Sequence, residues 1–198
     1  AGWNSSDWAF ICGALSATAN FHCVELFQAG SSSNALHLME LAIKVNRTNL
    51  VATLNRDFQE SLRTGKPATN NPAQIAQELF GPGQTWGTVL ARHGPPDEPN
   101  LCFALGQSLR QSGLPRQAII QFTRVTELAR TNVAAHLALA DTFIALGQPD
   151  RARDIDAART AEVEPFAFEQ VENEGQRFLI RNLECVVDWR AFEIGGDS

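Results

Sequence analysis

Histidine and cysteine are the side chains best suited to chemistry in this chain, and their spacing gives them no common target. His22, His37, His93 and His136 have no second histidine or cysteine at i+3 or i+4, the spacing that lets two ligands on one helix face a metal. His22 and Cys23 are adjacent and point to different faces of any helix. Cys12, Cys23, Cys102 and Cys185 include no C-x-x-C pair. They read as buried thiols, although their even number leaves disulfides open. Gly81-Pro82-Gly83 lacks the Gly-Lys pair of a phosphate loop, and no serine sits in a nucleophile elbow. Glu162, Glu164, Glu169, Glu172 and Glu174 form an acidic run that reads as a solvated face. The sequence-based expectation is a non-enzymatic chain with no catalytic residues, no cofactor and no metal.

The 198 residues are 44% apolar and 19% charged, with a net charge of −6. Those values suit an ordinary globular protein and disfavour a general nucleic-acid or anionic-membrane surface. The apolar stretch over 8–19 is read as too short to span a bilayer, because Asn20, His22 and Glu25 follow it. No transmembrane segment is expected. The chain starts at Ala1 without Met, which fits a removed leader or a trimmed piece. The compartment stays open, with the cytoplasm favoured over export. Asn4-Ser5-Ser6 and Asn46-Arg47-Thr48 match glycosylation acceptors, at about the frequency chance provides.

The elements that would position any site are marked by an echo at a spacing of 34 residues. Leu105-Gly106 recurs as Leu139-Ala140, Leu109 as Phe143, Gly113 as Gly147, Pro115 as Pro149, and Ala118 as Ala152. Asn100 reads as the cap of a helix starting at Leu101, with Leu101, Cys102, Leu105 and Leu109 on its apolar face. Gly113 stops that helix and Pro115 opens the next, which carries Ala118, Ile119, Phe122, Val125 and Leu128. Asn132 and Gly147 repeat the grammar. A link of this length folds two helices into an antiparallel hairpin. Upstream, Gly30 followed by Ala35 and Met39 reads as a divergent unit, and a further helix is expected over 50–63. Short helices are expected from Pro72 to Phe80 and from Thr85 to Arg92, followed by a break at Gly94-Pro95-Pro96-Asp97. A helix over 168–182 would cap the end of the chain.

The pattern resembles the tetratricopeptide repeat: Leu-Gly in a first helix, a large apolar residue three on, a turn Gly, then Ala-x-x-x-Phe in a second helix. Leu105, Gly106, Leu109, Gly113, Ala118 and Phe122 fill those places, and Leu139, Ala140, Phe143, Gly147 and Ala152 fill them again. Asp156 stands where Phe122 would recur. The resemblance is clear over 98–165. It implies an all-α fold in which antiparallel helix hairpins stack as a short right-handed α-solenoid, with an irregular insert and a C-terminal capping helix. The expected division is a helical region over 1–66 with one divergent repeat, an insert or linker over 67–97, two repeats over 98–165, and a capping helix and tail over 166–198.

The resemblance also implies that first helices line a groove for a partner polypeptide. The candidates on those helices are Asn100, Phe103, Gln107, Arg110 and Gln111, then Asp141 and Ile144. Some family members clamp a carboxylate tail with Lys, Asn and Arg. Here those places hold Asn100, Phe103, Ala104, Gln107 and Ala138, so a different partner is implied. Trp3, Trp8 and Trp189 lie outside the regular repeats and are candidate contacts in a larger complex. The expected function is a protein-interaction scaffold or assembly subunit. The alternative is a regulatory or substrate-recruiting repeat region of a larger enzyme.

Overall fold

The computed structural model describes residues 5–67, 70–81, 83–162, 169–173 and 176–180, with side chains described up to 155. Two compact units emerge, Ala1–Asp156 and Ala157–Ser198. Among the described residues the first unit is all-α. Its helices are α1 (Ser5–Gln28), α2 (Ser32–Val45), α3 (Leu50–Thr64), α4 (Pro72–Phe80), α5 (Trp86–His93), α6 (Pro99–Gln111), α7 (Pro115–Leu128), α8 (Val133–Ala145) and most of α9 (Pro149–Glu162).

Local chemistry explains most helix starts. Asn49, Asn71, Thr85 and Asn132 each accept a hydrogen bond from the backbone N–H three residues on, which satisfies a donor the helix leaves orphaned. The cap of α6 differs from expectation. Asn100 is not the cap; the helix opens two residues before Leu101, and Glu98 Oε2 accepts from Leu101 N at 2.9 Å. Pro99 is the physical reason. Its fixed φ suits the first helical position, and it has no N–H to leave unpaired.

The 34-residue echo is carried into the helix boundaries. α6 and α8 start and end 34 residues apart, and so do α7 and α9. Gly30, Gly113 and Gly147 have φ of 77°, 75° and 70°. After each, the next residue donates its N–H to the carbonyl five back: Ser31 to Leu26, Leu114 to Leu109, Gln148 to Phe143. This is the left-handed helix stop that glycine adopts most cheaply. Five residues beyond each glycine comes a buried alanine, Ala35, Ala118 or Ala152. Met39 and Phe122, four further on, are fully buried.

One core cluster joins α6, α7, α8 and α9 through Leu105, Leu109, Phe122, Leu139, Phe143 and Ala152. A second joins α3, α4, α5 and α6 through Val51, Leu54, Ala76, Val89 and Leu101. The stretch over 67–97 therefore holds two short helices that supply core residues.

Helix α1 corrects the reading of 8–19 as a short segment. The helix runs through Asn20 to Gln28, and at 24 residues it is long and apolar enough to cross a membrane by length and composition. Two of its polar side chains are used inside the protein, while His22, Glu25 and Gln28 are exposed. Ser16 Oγ donates to Ala42 O at 2.8 Å, and Asn20 Nδ2 donates to His93 O at 2.9 Å and to Pro95 O at 3.0 Å. Its first turns expose Trp8 and Phe10, the latter by 78%.

In the second unit the described residues of the expected helix over 168–182, namely 169–173 and 176–180, are strands instead. Strands β1 (Glu169–Asn173) and β2 (Gln176–Ile180) pair antiparallel, with Val171 opposite Phe178 and Asn173 opposite Gln176. Phe168, Val171, Phe178 and Leu179 fit a helical period, but Gly in the middle of such a helix costs about 1 kcal/mol and suits a tight turn.

Candidate partner-binding groove

A groove of about 470 Å³ runs between α4 and α6. Ala73, Ala76, Gln77, Phe80 and Gly81 form one wall. Asn100, Phe103, Ala104, Gln107, Ser108 and Gln111 form the other. Helical periodicity places each set on one stripe: Ala73, Gln77 and Phe80 on α4, and Asn100, Phe103, Gln107 and Gln111 on α6. Four of the candidates read from the sequence thus meet in one concavity. The α4 wall escaped the sequence reading, although the i, i+4, i+7 stripe of Ala73, Gln77 and Phe80 is visible there.

The remaining candidates lie elsewhere. Arg110 does not line the groove; its Nη2 donates to Gln107 Oε1 at 3.0 Å. Asp141 is exposed on α8, and Ile144 is 58% exposed there with Leu137 at 55% and Val133 at 49%. Trp8 is exposed on α1. Trp3 and Trp189 lie outside the described residues, as do Glu164 and Glu174 of the acidic run.

Two amides in the groove have their orientation set by charged neighbours. Asn100 Nδ2 donates to Glu98 Oε1 at 2.8 Å, and the other oxygen of that carboxylate caps α6. A carboxylate only accepts, so the NH₂ of Asn100 must face it and the Asn100 oxygen is left to accept. A guanidinium only donates, so the oxygen of Gln107 must face Arg110 and the Gln107 NH₂ is left to donate. Phe103 lies between them and packs on Phe122 with ring centroids 5.6 Å apart.

A second polar constellation is buried and structural. The stretch from His93 to Asp97 threads between α1 and α3. Asn49 Nδ2 donates to His93 O at 3.0 Å, Asn55 Nδ2 donates to Pro95 O at 3.1 Å and to Asn20 Oδ1 at 3.1 Å, and Asp97 N donates to Asn55 Oδ1 at 2.7 Å. The Asp97 side chain is 0% exposed and pairs with Arg124, Nε to Oδ1 at 2.7 Å, while Gln59 donates to its other oxygen at 3.2 Å. Burial pushes the Asp97 carboxyl above its ordinary value despite the guanidinium. Burial opposes the charge of Arg124, but hydrogen bonds to Asp97 and Glu127 outweigh it and hold that pKa up. These atoms are committed to one another and leave little for a substrate.

Of the cysteines, Cys23 and Cys102 are quiet, Cys12 is half-buried, and Cys185 lies outside the described residues. Burial pushes the Cys23 thiol up to about 12, and burial with the nearby Asp97 and Glu98 charges pushes Cys102 higher still. A thiol is reactive as thiolate, and neither forms one near neutral pH. His93 is buried with Nδ1 unpaired, and burial lowers its pKa, with Arg92 adding to the effect. His22 Nδ1 lies 2.9 Å from Glu25 Oε2 on the exposed face of α1, an i,i+3 pairing that the histidine and cysteine spacing does not reveal. Among the described residues no group of three His, Cys, Asp or Glu could hold a metal.

No protein-family model matches the chain, and no curated protein matches it. Residues and geometry alone carry its functional reading.

Proposed function

We propose that this chain is a non-enzymatic scaffold or assembly subunit that binds a partner polypeptide in the groove between α4 and α6. We further propose that 98–165 forms two tetratricopeptide-like units stacked as a short right-handed α-solenoid. The helix boundaries repeated at 34 residues and the common glycine stops support the second statement.

The observation that carries the binding role is the composition of the groove. None of its eleven lining residues can ionise. A wall of amides, alanines and phenyl rings cannot move a proton at neutral pH, but it can hold a neutral chain by hydrogen bonds and apolar contact. Affinity purification from the source with the tagged full chain tests this, run beside Ala73→Arg and Gln77→Arg. Both positions are exposed, so the variants block the groove while sparing the core. A partner that accompanies the parent chain and is lost from both variants supports the proposal. A partner retained by both overturns it.

A further inference from the structure

We infer that the α4–α6 groove takes its partner as an extended, uncharged peptide read through its main chain, an inference that rests on the binding role proposed above. The evidence is the fixed polarity of two amides. Glu98 turns Asn100 so that an oxygen is left to accept, and Arg110 turns Gln107 so that an NH₂ is left to donate. The two residues sit seven apart on α6, about 10 Å along the helix axis. An extended peptide presents an N–H and a C=O to one edge every two residues, roughly 6.6 Å apart. An N–H facing Asn100 and a C=O facing Gln107 therefore belong to one short segment laid along α6. An occupant already coiled as a helix has spent those groups internally and offers the pair nothing.

The space between the amides fixes the side-chain chemistry. Phe80 and Phe103 line it, none of the lining residues is charged, and the nearest charges, Glu98 and Arg110, are already bonded to Asn100 and Gln107. Burying an unpaired charge is costly, so the residue dropped onto these rings is uncharged. Main-chain recognition then supplies hydrogen bonding with little demand on sequence, and the two rings supply the preference for an apolar residue.

The test starts with random seven-residue peptides displayed on phage, selected on the full chain. A selected peptide is synthesised with each amide N-methylated in turn, and binding is measured by fluorescence anisotropy. The expected result is that central residues carry no charge and one register position loses tenfold or more on N-methylation. Asn100→Ala should remove that sensitivity. Gln107→Glu, which sets a carboxylate against the peptide carbonyl and still pairs with Arg110, should weaken binding tenfold or more. Binding that is lost in Ala73→Arg but indifferent to N-methylation overturns the main-chain inference while the groove remains the binding site. Peptides that bind Ala73→Arg undiminished, or no selected peptides at all, overturn both.

Discussion

A Cβ on Gly106 would lie 2.6 Å from Cε1 of Phe122, with two further ring atoms at 2.8 and 3.0 Å. The ring, buried in α7, occupies the space a side chain on α6 would need. Gly106→Ala should therefore destabilise the chain, by about 1–3 kcal/mol from overpacking. For a unit of this size the melting temperature should fall by roughly 2–4 °C per kcal/mol. Scanning calorimetry decides it. A rise in melting temperature, the usual result of replacing glycine inside a helix, would contradict the contact.

Arg124→Met should be among the most damaging single changes. It leaves the fully buried Asp97 carboxylate without its cation, and breaking one side of a buried pair costs about 3–5 kcal/mol. Gln59 still donates to Asp97, so the lower end of that range is expected. Urea denaturation measures the loss. A midpoint unchanged within error would show that the pair contributes nothing.

Acid should loosen the fold through His93. Its folded pKa lies below the ordinary value of 6.5, so the native state holds it neutral. Stability is then fully present above about pH 6.5 and falls as pH drops below it, because the unfolded chain takes up the proton first. Asp97 has the opposite sign. Its folded pKa is raised above 3.8, so acidification between those two values favours the native state. The His93 contribution sets in just below pH 6.5, and His93→Gln should flatten the acid limb in melts run from pH 7.5 to 5.5. An identical slope in both proteins would remove His93 from the account.

Gly94 and Gly113 both have positive φ, at 79° and 75°, but Gly94 also has ψ of −176°, a region nearly exclusive to glycine, and the two differ in surroundings. A Cβ on Gly113 meets nothing within 4 Å, whereas one on Gly94 falls 2.6 Å from the backbone oxygen of Ala17. Gly113→Ala carries the left-handed penalty, about 1–2 kcal/mol, and Gly94→Ala a penalty of about 1–3 kcal/mol from its rarer backbone. Gly94→Ala should be the less stable by a clear margin, because backbone in α1 has to move. Equal melting temperatures would mean that the stretch from His93 to Asp97 does not approach α1 as described.

Gln107→Ala in the groove and Arg110→Glu, which removes the donor that orients Gln107, should weaken partner binding with little change in the melt, since both residues are only half-buried. Surface changes away from special contacts stay within about 0.5 kcal/mol. Unchanged affinity in both variants would place the interface elsewhere.

The helices of the first unit were legible wherever local chemistry decides. Gly113 and Gly147 stop helices by their own conformation, Pro115 and Pro149 open them, and Ala35 and Met39 repeat the offsets of Ala118 and Phe122. Asn20, Asn49 and Asn55 could not be read from sequence as a unit. Their meaning comes from carbonyls 73, 44 and 40 residues away. The α6 side of the groove was legible as a helix stripe, but the α4 side needed the packing that sets α4 against α6. Over 168–182 the apolar spacing fits both a helix and paired strands, and the glycine inside it, unfavourable in a helix interior, was the sign in the sequence against a helix.

The stretch from His93 to Asp97 has a consequence for a chain still being made. Asn20, Asn49 and Asn55 bond to one another's helices through Asn55–Asn20 and Asn49–Ser16, but each also donates to a carbonyl in that stretch, so α1 and α3 finish synthesis with part of this bonding unmet. A ribosome adds about 5–20 residues per second, so the delay between Asn55 and Asp97 lasts seconds. During that interval the N-terminal helices carry polar groups that favour water over packing. Premature closure is penalised, and the N-terminal third of the unit locks only when its own late segment arrives.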